Sequence, residues 1–171
     1  MAVAERVETK TAGDRRAETE TVKGRGRDLG KAIGPAARTG VAGITHAILR
    51  IGAGILFFMH GAPKLFGWFG GMRPDGGSAQ LLSLMGLAGV LEVFGGLAIA
   101  LGMLTRPVAI VLALEMAIAY FYAHAPRGPI PYVNGGELAL LYGFVWIFLA
   151  GNGAGPASID RALASRKAPA R

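Results

Sequence analysis

The sequence predicts an all-α integral membrane protein, a four-helix bundle with a disordered N-terminal tail. Of its 171 residues, 52% are hydrophobic and only 17% are charged, and the mean hydropathy is +0.43. Residues 1–40 carry 9 Lys or Arg and 6 Asp or Glu, about half of all charged residues. The remainder contains stretches apolar and long enough to cross a bilayer. We therefore divide the chain into a basic cytoplasmic tail (1–40), a transmembrane domain (41–157) and a short cytoplasmic tail (158–171).

The tail has few large apolar side chains, so it cannot bury enough surface to offset the entropy lost on ordering. The formal charge of +7 suggests a nucleic-acid partner. The distribution of charge disfavours that partner, because residues 1–40 mix basic with acidic residues as a solvated segment does. The chain has no Cys, which excludes disulfides, thiolate metal sites and thiol relays. We predict no metal site.

Four apolar segments follow the tail, at about 43–67, 79–103, 106–124 and 137–154. About 20 helical residues cross the hydrocarbon core of a bilayer. The second and third segments reach that length, whereas polar residues interrupt or bound the first and the fourth. The third segment is apolar nearly all round, and a soluble bundle helix would instead have a charged face. The membrane interpretation is therefore preferred.

The breaks between segments support this division. Thr105 is predicted to cap the third helix, with Pro107 in its first turn, and residues 158–167 to form a short surface helix. The N-terminal tail, the turn with Arg106 and the C-terminal tail carry most of the basic residues. By the positive-inside rule we expect a multi-pass protein of the cell membrane with both termini in the cytoplasm.

The first segment carries its basic groups on one line. At 100° per residue, His46, Arg50, His60 and Lys64 fall within an arc of about 80°. A lipid-facing helix does not collect its charges in this way, so the line is expected to face the bundle or a wet cavity.

Two clusters of ionisable residues result. At mid-depth we expect buried ion-pair candidates, with Glu92 the favoured partner of Arg50. Near the outer face we expect a ligand-binding pocket, whose structural alternative is a salt bridge between Lys64 and Glu137. The mid-depth cluster is Arg50, Glu92 and Glu115, and the outer cluster is His60, Lys64, His124, Asn134 and Glu137. Paired charges in a membrane can also simply fix which helices meet.

The motifs that carry these residues occur together in a known family. They are Arg50 followed by an apolar Gly-containing stretch, His60-Gly, Lys64 and a Gly/aromatic loop, then EVFGG from Glu92, GMLTR in the turn, His124, and NGGE from Asn134. In this order they resemble the DoxX family of small four-helix membrane proteins, over about 44–165. The resemblance implies a link to thiosulfate:quinone oxidoreductase or to membrane-associated oxidative-stress complexes. Glu115 lies outside the shared pattern.

Four functions stay open at this point. We favour a subunit or accessory component of a membrane redox process, with redox proteins as partners. In it the outer cluster would hold a quinone headgroup by hydrogen bonds from His and Lys. The alternatives are a non-enzymatic scaffold and a small-molecule or proton carrier lined by Glu92 and Glu115. A haem b protein with His60 and His124 as axial ligands is least favoured. The sequence supports no claim of turnover by this chain alone, and it leaves the oligomeric state open.

Overall fold

The structure is a computed structural model that describes Gly13, residues 19–21 and residues 40–167. The N-terminal tail was predicted to be disordered. Apart from Gly13, residues 19–21 and residue 40, the tail lies outside the described residues. Across the described ranges the regular structure is helical, without a strand. The chain is thus an all-α protein, as predicted.

Six helices and a separate 3-10 turn at Trp68–Gly70 make up the described domain. The helices are α1 (Val41–Phe66), α2 (Leu84–Leu101), α3 (Thr105–Arg127), α4 (Pro131–Asn134), α5 (Glu137–Asn152) and α6 (Ile159–Lys167). Two helices contain a π-helical turn, Leu91–Gly95 within α2 and Tyr120–His124 within α3. The predicted surface helix over 158–167 is confirmed as α6.

In the described part, three helices are long and apolar enough to cross a membrane: α1, α2 and α3. The fourth apolar helix, α5, has 16 residues and a length of about 24 Å. The expected set of four spans is therefore three full-length helices and one shorter one. Helix α1 agrees with the predicted limits of about 43–67 to within two residues, and its polar residues do not interrupt it. Helix α2 begins five residues later than predicted, because Ser83 caps it by accepting a hydrogen bond from the amide of Gly86 at 3.1 Å.

Helices α1 and α2 pack antiparallel with their backbones in close contact. A Cβ on Gly54 would lie 2.6 Å from the amide nitrogen of Ala100, and one on Gly96 would lie 2.7 Å from the carbonyl oxygen of Gly54. Small residues allow this approach, which is how helices associate in membranes. The contact fixes the register of the two helices.

Helices α3 and α5 form a second packed pair, and an aromatic core joins it to α1. The ring of Phe57 in α1 lies 5.0 Å from the rings of both Tyr142 and Trp146 in α5. Leu112 and Met116 of α3 are buried in the same core. The interior of the bundle is thus apolar around Phe57, with charged groups above and below it along α1.

The turn between α2 and α3 is tied to the start of α6. The carboxylate of Asp160 accepts hydrogen bonds from the amides of Leu104 at 2.8 Å and Thr105 at 2.9 Å. The predicted capping by Thr105 is wrong, because Thr105 is the first helical residue and Leu104 takes the cap position. The exposed amides of α3 are therefore satisfied from a distant part of the chain.

Candidate functional site

An ion pair between α1 and α2 lies at the centre of the candidate site. The Lys64 ammonium donates a hydrogen bond to Oε1 of Glu92 at 2.5 Å, with 17% of the Lys64 side chain and 5% of the Glu92 side chain exposed. Glu92 lies in the π-helical turn of α2. Such single turns are frequent at functional sites. The close approach of Gly89 to Lys64 brings the two side chains together.

A second carboxyl group lies near this pair. Glu115 in α3 is 8% exposed and is within electrostatic range of Glu92 and Lys64. Within the described residues neither of its oxygens has a hydrogen-bond partner, and neither does Oε2 of Glu92. Buried polar groups normally have partners, and an ionisable residue inside a membrane marks a functional site by default. We call Lys64, Glu92 and Glu115 the acidic centre.

Aromatic side chains border the acidic centre. Tyr142 is within electrostatic range of Glu92 and stacks on Trp146, with ring centroids 5.6 Å apart. The ring of His60 packs edge-on against Tyr142 at 5.7 Å. The indole nitrogen of Trp146 is buried and lacks a partner among the described residues. The site therefore offers one cation and two carboxyls beside aromatic side chains, and the unpartnered indole nitrogen belongs to Trp146, one helical turn beyond Tyr142.

The predicted outer cluster is divided in the structure. Nδ1 of His124 donates to the carbonyl oxygen of Asn134 at 3.2 Å, and the Asn134 amide donates to the carbonyl oxygen of Gly128 at 2.7 Å. These bonds organise the loop before α5. His60 and Lys64 instead contact Tyr142 and Glu92.

Two structural expectations for the charged residues are wrong. Glu137 is exposed at the first position of α5. Lys64 pairs with Glu92 instead, so the expected salt bridge between Lys64 and Glu137 is not formed. Arg50 does not pair with Glu92 either. Its guanidinium donates to the carbonyl oxygens of Ile99 at 2.8 Å, of Ala157 at 2.7 Å and of Ala100. These are the last carbonyls of α2 and one from the segment before α6.

The register of α1 and α2 explains the partners of Arg50. Arg50 lies beside Ala100, eight residues beyond Glu92 along α2, which is about 12 Å of helix. Arg50 is completely buried, and its guanidinium binds carbonyls of the last turn of α2, of which that of Ile99 also accepts the amide of Gly102. Gly102 closes α2 with φ +66, and a Cβ there would lie 3.0 Å from Arg50 and closer still to Ser158. The favourable interaction of a cation with a helix C-terminus replaces the predicted ion pair.

Sequence reasoning did not select Tyr142, Trp146 or Asp160. The four-residue spacing of Tyr142 and Trp146 places them on one face of a helix, which is a signal for the core but not for the site. Asp160 follows Ser158 near the start of a short helix and resembles an ordinary solvated residue. Among the described residues no group of three or more His, Asp or Glu is placed to hold a metal ion.

Together the apolar helices and the buried charges define a helical membrane protein with a polar centre inside its bundle. The DoxX family model matches residues 45–125. An uncharacterized protein of Haemophilus influenzae is 38% identical over 117 residues, which cover 67% of this chain and 87% of that protein. The chain belongs to the DoxX family. No solved structure matches it.

Proposed function

We propose that this protein is the membrane subunit of a quinone-linked redox process and that its acidic centre binds the quinone headgroup. The observation that carries the proposal is Glu115, a buried carboxyl without a hydrogen-bond partner among the described residues, next to a buried ion pair. Leaving such a group unpaired in an apolar interior costs on the order of 1–3 kcal/mol. A ligand that hydrogen-bonds to Glu115 would remove this cost.

The chemistry of the centre suits a quinone. Each quinone carbonyl is a hydrogen-bond acceptor, and the available donors are the Lys64 ammonium, the Trp146 indole and a protonated Glu115. The aromatic surface of Tyr142 provides an apolar wall for the ring. On reduction to the quinol each carbonyl oxygen takes up one proton and one electron. Glu115 and Glu92 would pass the protons, and a partner redox protein would supply the electrons.

Placement in the cell membrane with both termini cytoplasmic is part of the proposal. Arg106, Arg161 and Arg166 lie at the end of the bundle that carries the α2–α3 turn and α6. The opposite end has Lys64, Arg73 and Arg127. The excess at the α6 end comes from the 9 Lys or Arg of residues 1–40 and from Lys167 and Arg171, and it supports a cytoplasmic position for that end.

The test uses the purified full chain in phosphatidylcholine nanodiscs and decylubiquinone as the probe. The sequence has two Trp, so Trp68→Phe leaves Trp146 as the sole indole reporter. We expect saturable quenching of Trp146 fluorescence in this background. The additional change Glu115→Met should abolish saturation while the thermal stability is kept. Glu137→Gln removes an exposed carboxylate and is the matched control, with unchanged binding.

The outcomes separate a ligand site from a scaffold. Equal, unsaturable quenching in all variants would mean that the quinone only partitions into the lipid, and it would overturn the proposal. The non-enzymatic scaffold is supported by the ties that Arg50 and Asp160 make between distant segments. A scaffold would never bind the probe, whereas a loss of stability on changing Lys64 or Glu92 is expected of a scaffold and of a ligand site alike.

A further inference from the structure

Helix α6 begins at the level where two membrane-spanning helices turn. The amide of Asp160 donates to the carbonyl oxygen of Gly102 at 2.9 Å, and its carboxylate binds the amides of Leu104 and Thr105. The turn between α2 and α3 joins two helices of membrane-spanning length. It therefore lies at a membrane–water boundary, and so does the start of α6.

The side chains in the first turns of α6 are divided between an apolar and a polar face. At 100° per residue, Ile159, Ala162 and Leu163 fall within an arc of about 100°, with Arg161 and Ser165 on the other side. Arg166, one turn beyond Ala162, falls within the same arc and ends the apolar stripe. Ile159 is 37% exposed and Leu163 is 51% exposed, so the bundle does not cover this apolar face. An uncovered apolar stripe on a helix at this level is typical of helices that lie in the membrane interface.

Basic side chains surround the start of α6. Arg106 of α3 and Arg161 of α6 line one open cavity of about 430 Å³, together with Asn152 at the end of α5 and with Asp160. The Asp160 carboxylate in this lining already accepts the amides of Leu104 and Thr105. The Arg106 guanidinium donates to the carbonyl oxygens of Ala150 and Gly151, which holds its charge at this end of the bundle. Arg166 extends the positive charge along α6 and is exposed.

We infer that α6 lies on the bilayer surface and that Arg106, Arg161 and Arg166 bind the headgroups of anionic phospholipids. The apolar stripe supplies the contact with acyl chains, and the basic groups select a negatively charged leaflet. The arrangement fits lipid rather than a soluble anion, because the stripe and the charges begin at the same boundary. This inference is independent of quinone binding.

The absence of Cys makes a direct test possible, since one introduced Cys is the sole labelling site. Nitroxide labels at Leu163→Cys and at Ser165→Cys report accessibility to membrane-dissolved oxygen and to an aqueous nickel chelate. The full chain is measured in nanodiscs of phosphatidylcholine alone or mixed with phosphatidylglycerol. We expect the label at 163 to favour oxygen and the label at 165 to favour nickel. Phosphatidylglycerol should increase this difference in accessibility between the two labels.

Charge variants complete the test. Changing Arg161→Gln and Arg166→Gln together should abolish the increase caused by phosphatidylglycerol, whereas Arg73→Gln in the opposite loop should leave it intact. Equal aqueous accessibility at both labels would overturn the surface position of α6. A contrast that is the same in both lipids would overturn the selection of anionic headgroups.

Discussion

The pair of Lys64 and Glu92 should contribute far more to stability than a surface ion pair. Glu92→Gln leaves the Lys64 ammonium without its carboxylate, with only 17% of the lysine side chain exposed. Breaking a buried ion pair by removing one partner costs about 3–5 kcal/mol. An exposed pair contributes about 0–1 kcal/mol. Arg73 and Asp75 form such a pair here, with 58% and 64% of their side chains exposed.

A double-mutant cycle in detergent micelles measures the difference. Lys64→Met and Glu92→Gln should each destabilise the protein, and the double variant should be more stable than the sum of the single losses predicts. The free energies of unfolding come from circular dichroism as a denaturing detergent is added. Asp75→Asn is the control and should change little.

The coupling energy decides whether the pair acts as described. Residues in direct contact couple by about 0.5–3 kcal/mol, whereas independent sites add within about 0.5 kcal/mol. Additive losses of Lys64→Met and Glu92→Gln would show that the two charges do not stabilise each other. The assignment of the acidic centre would then be wrong.

Three further predictions concern other parts of the fold. Gly54→Ala should cost about 1–3 kcal/mol of stability because its Cβ meets the backbone of α2, whereas Gly52→Ala, with nothing within 4 Å, should be tolerated. Partial burial alone would raise the pKa of Asp160, but the amides of Thr105 and Leu104 and the charge of Arg50 hold this pKa below its usual value. The resulting stabilisation should be complete above the unfolded pKa of about 3.9 and lost as the pH falls through the lower folded value. Lowering the pH should thus reduce the thermal unfolding temperature less in Asp160→Asn than in the parent protein. The same pH dependence in both proteins would refute this. A reporter fused to the carboxyl end should read cytoplasmic, and a signal from the other side of the membrane would reverse the topology.

Sequence reasoning was sufficient for the class of fold and for most helix limits. Glu137 begins a helix as predicted, and the turn before Thr105 falls where its glycine suggested. These features depend on local composition and on the length needed to cross a bilayer. The one-sided line of basic residues on the first helix was expected to face the bundle or a wet cavity. Arg50 is buried and Lys64 is partly buried, whereas His60 on the same line is exposed.

The partners of the charges could not be predicted, because they depend on the register between helices. Residues 78–83 are not helical, so α2 starts late and Glu92 lies closer to its beginning than expected. The π-helical turn then changes which face Glu92 occupies. A helical wheel at 100° per residue represents neither the late start of α2 nor its π-helical turn. Lys64 therefore meets Glu92, and Arg50 meets the carbonyls at the far end of the same helix.

The buried guanidinium of Arg50 also makes the two ends of the bundle different. It closes the end that carries α6 with hydrogen bonds to α2 and to Ala157. A solute passing that way would have to break these bonds and strand a cation in an apolar interior. The proposed proton exchange of the acidic centre would therefore use the other end, where 17% of the Lys64 side chain is exposed. The two sides of the membrane would then have unequal access to Glu92 and Glu115.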